Sequence, residues 1–71
     1  LGIYTHYKDP GGKEYLVTGV ATHESTREEL VVYKALYGER VLYVRPLEEF
    51  LQIVEWNGKT MPRFVWVREM E

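Results

Sequence analysis

From Glu29 to Phe50 the chain reads ELVVYKALYGERVLYVRPLEEF, two runs of β-branched and aromatic residues hinged at Gly38 and stopped at Pro46. Residues of this kind fit a pleated, half-buried surface better than a helix. Leu30 to Tyr37 is apolar on both faces, with Val31, Tyr33, Ala35 and Tyr37 on one and Leu30, Val32 and Leu36 on the other. Two-sided apolarity marks a central strand or a strand of a closed barrel. Gly38-Glu39-Arg40 then links to a return strand, Val41 to Arg45, and Pro46 ends it because proline has no N–H to donate. Leu47-Glu48-Glu49-Phe50 reads as one 3-10 or α turn that directs Leu47 and Phe50 to the core at i, i+3.

The flanking chain repeats the same grammar. Leu1 to Lys8 alternates as a strand, and Asp9-Pro10-Gly11-Gly12 is a turn in which Pro fixes φ and Gly accepts positive φ. Lys13 to Thr22 is a second strand, with Gly19 in its middle marking a bulge or a close backbone approach. His23 to Arg27 is a polar loop. An S/T-x-x-E spacing there allows Ser25 or Thr26 to cap a brief helical turn through Glu28 and Glu29. Gln52 to Trp56 is a strand, Asn57-Gly58 a two-residue hairpin signal, and Lys59 to Arg68 the returning strand. Pro62 places that last strand at an edge, and Glu69 to Glu71 reads as a frayed tail. Six short strands with one helical turn give a mainly β fold: a small SH3-like barrel or, failing closure, a strongly curled antiparallel sheet.

Seventy-one residues are enough for one core and one domain, residues 1–71. With no cysteine, neither a disulfide nor a thiolate metal site is available. Stability must come from packing, to which aromatics at 14% of the chain contribute large buried areas. The absence of cysteine also favours an intracellular, cytoplasmic setting. Net charge is −2, and charges of both signs are interspersed. That argues against a protein whose affinity rests mainly on neutralising phosphates, while leaving room for one local basic pocket. No apolar run is long enough for a membrane span, and no signal-peptide pattern opens the sequence. Opening on Leu1 rather than Met, the sequence reads as trimmed.

Tyr4-Thr5-His6-Tyr7-Lys8 and the series Tyr15, Val17, Gly19, Ala21, His23, Ser25, Thr26 resemble a family of small bacterial proteins, the domain of unknown function DUF1653. The resemblance extends through Leu30-Val31-Val32-Tyr33-Lys34-Ala35-Leu36-Tyr37-Gly38, Val44-Arg45-Pro46-Leu47 with Phe50, and Val54-Glu55 through Gly58 to Pro62-Arg63-Phe64. It covers nearly the whole chain. One departure is the loop after the histidine, where the family's Ser-Glu-Thr order is replaced by Glu24-Ser25-Thr26. The resemblance implies a stand-alone cytoplasmic module and no particular activity.

Few residues carry chemistry of their own. His6 and His23 lack the third and fourth ligands that a zinc site needs, so no metal and no cofactor is expected. His23-Glu24-Ser25-Thr26 holds a base and two hydroxyls, but activating a hydroxyl requires the base within hydrogen-bond reach and a third group to orient it. A loop whose hydroxyls satisfy its own backbone is the plainer reading. The six tyrosines, Tyr4, Tyr7, Tyr15, Tyr33, Tyr37 and Tyr43, form a more informative set. Several should share a face with His6, His23 and Arg45, the kind of surface on which small barrels hold peptides, cations or bases. Arg45 closes an otherwise apolar strand, so it either pairs a carboxylate such as Glu48 or offers its fork to an anion.

The expected function is therefore a non-enzymatic binding module for a peptide, a nucleotide or nucleic acid, or a small anionic ligand. Its expected surface is His6, Tyr7, His23, Ser25, Thr26, Tyr33 and Arg45. A small hydrolase or transferase using His23 as general base is the first alternative. A structural or oligomerisation role through an exposed strand such as Lys59 to Arg68 is the second.

Overall fold

A computed structural model describes residues 2–70 of the chain; Leu1 and Glu71, at the ends of the expected first strand and tail, lie outside the described residues. Seven strands and one short helix follow in order: β1 (Gly2–His6), β2 (Glu14–Thr22), β3 (Glu29–Ala35), β4 (Leu42–Pro46), α1 (Leu47–Phe50), β5 (Ile53–Trp56), β6 (Lys59–Pro62) and β7 (Phe64–Glu69). Five strands form one antiparallel sheet in the order β4-β3-β2-β1-β7, and β5 and β6 form a separate hairpin. Asn57 and Gly58 turn that hairpin with φ of 55° and 75°, the double left-handed turn that matches strand twist.

Where one returning strand was expected over Lys59 to Arg68, the structure has two. The chain breaks at Arg63, whose N–H donates to the Gln52 carbonyl at 2.8 Å and whose carbonyl accepts the Tyr7 N–H at 2.9 Å. Pro62 immediately before it pairs with Ile53 but has no N–H to donate. The chain thus leaves its partner β5 and joins β1 instead. Gly19 does mark a bulge, since the β2–β3 register shifts between Val17 and Gly19. The His23 loop forms a turn rather than a helix, closed by the His23 N–H on the Glu28 carbonyl at 2.7 Å and the Arg27 N–H on the His23 carbonyl at 2.9 Å.

The sheet is strongly curled. Edges β4 and β7 are four strand spacings apart, about 19 Å in a flat sheet. Yet the Arg45 guanidinium carbon, from β4, lies 5.5 Å from the centroid of the Phe64 ring at the start of β7. No hydrogen-bonded ladder joins β4 to β7 among the described residues, so the barrel does not close and the curled sheet describes the fold. The crossover from β4 to β7 lays α1 on the concave side. There Phe50 stacks on Phe64 (centroids 4.4 Å apart, planes 4° apart) and meets Tyr4 edge-on at 5.3 Å. Val31, Tyr33, Phe50 and Phe64 are the buried cluster, with Tyr15, Val17 and Leu47 packed around it.

The convex side is closed differently. Ile3 and Thr5 of β1 are buried, flanked in register by Leu16 and Arg68 and by Glu14 and Val65. Arg68 reaches across β1 to grip Glu14 with two hydrogen bonds of 2.8 and 2.9 Å, a bidentate strap over the sheet's interior strand. At the β1–β2 turn, Asp9 accepts the Lys13 N–H at 2.9 Å. A side chain at Gly12 would collide with that carboxylate and displace it from the Lys13 N–H.

Candidate functional site

Curling brings the odd-numbered residues of β3 and β4 over the beginning of β7, and between them lies a cavity of about 220 Å³. Its floor is Phe64, held from below by Phe50. Tyr33, buried to 5% exposure, stands beside Phe64 at 5.5 Å, and its cross-strand partner Tyr43 continues the wall at 5.6 Å. Tyr15 meets Tyr33 and Phe64 edge-on at 5.7 and 6.1 Å. These edge-to-face arrangements suit aromatic quadrupoles and fix the ring positions.

Three polar groups converge on this cage. At one end the Tyr15 and Tyr37 hydroxyls share a hydrogen bond of 2.9 Å. Burial, then that hydrogen bond, pushes the Tyr15 hydroxyl well above the ordinary tyrosine range, so it stays protonated. At the other end stands Arg45, which pairs Glu49 through a single 3.5 Å contact rather than Glu48 as expected. One long, partly exposed contact leaves most of the guanidinium fork uncommitted. His6 lies between, edge-on to Phe64 at 5.4 Å and packed on Tyr7 at 4.7 Å. Its Nδ1 accepts the Lys8 N–H at 3.3 Å, so the neutral ring carries its proton on Nε2.

The electrostatics of the pocket differ from those of the whole chain. Burial first, then the positive charges of Arg63, Arg45 and Lys8, hold His6 below its ordinary pKa, with Asp9 opposing. Arg63 is anchored by Gln52 Oε1 at 2.8 Å, while its Nε is buried without a hydrogen-bond partner among the described residues. Lys13 adds its ammonium 5.0 Å above the Tyr37 ring. A protein with net charge −2 thus gathers positive charge around one cavity.

The His23 loop is built for itself. His23 follows the far end of β2, whereas His6 lies beside its start, where Thr5 pairs with Glu14. Nine strand residues separate the two ends, roughly 25–30 Å at strand rise. His23 Nδ1 accepts the N–H groups of Ser25 and Thr26 at 3.2 and 3.3 Å, and the Thr26 hydroxyl accepts the Glu28 N–H at 3.2 Å. Among the described residues, no hydrogen bond links the His23 ring to either hydroxyl, and no three His, Cys, Asp or Glu side chains gather as a metal site.

The family of proteins of unknown function DUF1653 matches residues 2–66. The chain belongs to the DUF1653 family. Among solved structures it is similar to a DUF1653 protein from Bordetella bronchiseptica, with 33% identity, a TM-score of 0.82 and coverage of 99% of this chain and 88% of that one. None of the curated proteins matches it. Likeness at this level extends the curled sheet to a relative and carries no activity with it. No helix among the described residues of this DUF1653 domain is long and apolar enough to cross a membrane.

Of the seven residues singled out from sequence, His6, Tyr33 and Arg45 line the cavity. Tyr7 stands behind His6, wedged against Trp56 at 5.6 Å. His23, Ser25 and Thr26 make up the distant loop. Tyr15, Tyr37 and Tyr43 belong to the tyrosine set that the sequence did flag, and their shared face follows from strand alternation. Phe64 and Arg63 were missed. The signal for them was Pro62, which ends β6 and so makes Phe64 the first residue of a strand in the other sheet.

Proposed function

We propose that this DUF1653 domain is a single, non-enzymatic binding module that takes a small ligand into the aromatic cavity. The observation that carries this reading is the meeting of Arg45, His6 and Phe64 across the curl, where a lightly committed guanidinium overhangs an aromatic floor. Preformed concave sites with apolar walls and a few converging polar groups are the usual form of small-molecule sites. His6, Tyr33 and Arg45 are the ligand-contacting residues in this reading, and Tyr7 positions His6. Ser25, Thr26 and His23 serve the β2–β3 loop. A hydrolase built on His23 finds no support, because that ring's Nδ1 already serves two backbone N–H groups.

A titration followed by ¹H–¹⁵N NMR against small neutral and anionic aromatics, mononucleotides and short peptides tests the reading. Saturable shifts should centre on His6, Tyr33, Arg45 and Phe64. A panel that leaves all four silent, or moves only residues 23–28, sinks it.

A further inference from the structure

The cavity's size and polarity narrow what it can hold, and this inference rests on the binding reading above. An apolar cavity of about 150 Å³ takes up benzene. Pockets for drug-sized ligands begin near 300 Å³. At about 220 Å³ the space suits one ring with a small substituent, too little for a whole nucleotide or a folded peptide segment. Tyr33 stands 5.6 Å from Tyr43 and 5.5 Å from Phe64, a run of aromatic faces and edges that suits a flat ring better than a branched aliphatic body.

The substituent is set by Arg45. Its planar fork matches a carboxylate with two parallel N–H donors, and its single 3.5 Å contact with Glu49 leaves that fork largely open to a second acid. One guanidinium with one neutral imidazole balances a single negative charge. Among the described residues, Arg45 is the one cation that lines the cavity. Arg63, tied to Gln52, and Lys13, over Tyr37, add positive field from outside the lining, so a dianion would find no second charged donor in direct contact. The Tyr15–Tyr37 hydroxyl pair, away from Arg45, offers a polar contact to whatever group the ring carries opposite its acid.

We propose that the cavity binds aromatic monocarboxylates, the ring lying against Phe64 and Tyr33 and the carboxylate taken by Arg45 in exchange for Glu49, with the His6 Nε2 proton as a second donor. The carboxylate of a bound ligand and that of Glu49 then compete for the same guanidinium.

Benzoate, benzamide and phenyl phosphate, titrated by calorimetry and NMR at pH 7, test this. Benzoate should bind about tenfold more tightly than benzamide, the scale of a charge-assisted pair in a partly open site. Arg45→Gln should erase that difference while leaving the backbone spectrum in place. Glu49→Gln should tighten benzoate by up to about fivefold by removing the competitor, a gain that a purely structural Arg45–Glu49 pair would not produce. Equal affinity for benzoate and benzamide, or weaker benzoate binding in Glu49→Gln, overturns the carboxylate assignment and leaves the binding reading standing. Phenyl phosphate about tenfold tighter than benzoate overturns the monoanion assignment in the same way. If none of the three rings moves the cavity residues, the inference is wrong, and the binding reading falls only if the wider panel is silent too.

Discussion

The two histidines sit at opposite ends of β2 and are put to opposite uses. His23 closes a loop, its Nδ1 accepting two backbone N–H groups within three residues of itself. His6 has one such contact, and its ring is pinned between Tyr7 and Phe64 beside a cavity that distant strands complete. His6 is the last residue of β1 and His23 the first after β2, so both stand at a strand end. What separates them is packing: only His6 lies against Phe64, its cross-strand partner on β7, and beside Arg45, which the curl brings in from β4. In a domain this small, long-range aromatic packing rather than local polarity decides which polar side chain lines the cavity.

Removing the packing on one side should break the comparison most. Phe64→Ala takes away the cavity floor and the Phe50 stack, and should cost about 3–5 kcal/mol in urea denaturation. A cost below about 1 kcal/mol would mean that floor and core are separate. On the other side, His23→Ala removes an acceptor from two exposed N–H groups that water can serve instead, so the loss should be no more than about 1 kcal/mol. A loss as large as that of Phe64→Ala would erase the distinction between the two ends.

The smallest effect is on pH. His6 is faced by Arg63, Arg45 and Lys8, with Asp9 the opposing carboxylate, and it is packed by Tyr7 and Phe64. Its pKa in the folded chain lies below the ordinary 6.5, so protons bind the unfolded chain more readily. Its contribution to stability is therefore fully present above pH 6.5 and declines as pH falls through the folded value. His6→Gln should flatten this part of the pH–stability curve. A curve that keeps its slope in the variant would assign the effect elsewhere.

Much of the fold was legible because its signals are local. The hinge at Gly38, the stop at Pro46 with the α1 turn, the bulge at Gly19 and the Asn57-Gly58 hairpin each rest on what one or two residues can do with φ. The split of Lys59 to Arg68 was harder to read, since Phe64-Val65-Trp66-Val67 continues the alternation and only Pro62 announces the break. Closure was out of reach from sequence, because whether β4 meets β7 depends on accumulated twist over five strands. The site divided along the same line. Tyr33, Arg45 and the tyrosine face followed from alternation, whereas Phe64 and the parting of His6 from His23 depend on which strands the curl brings together.

With only two histidines in the chain, their ring Cε1–H signals report separately on the two ends of β2. Followed through a benzoate titration at pH 7, the His6 signal should move saturably, and its pKa should rise as the bound carboxylate stabilises the imidazolium, while the His23 signal stays in place. Movement of the His23 signal with His6 silent would contradict the account and put the site at the loop.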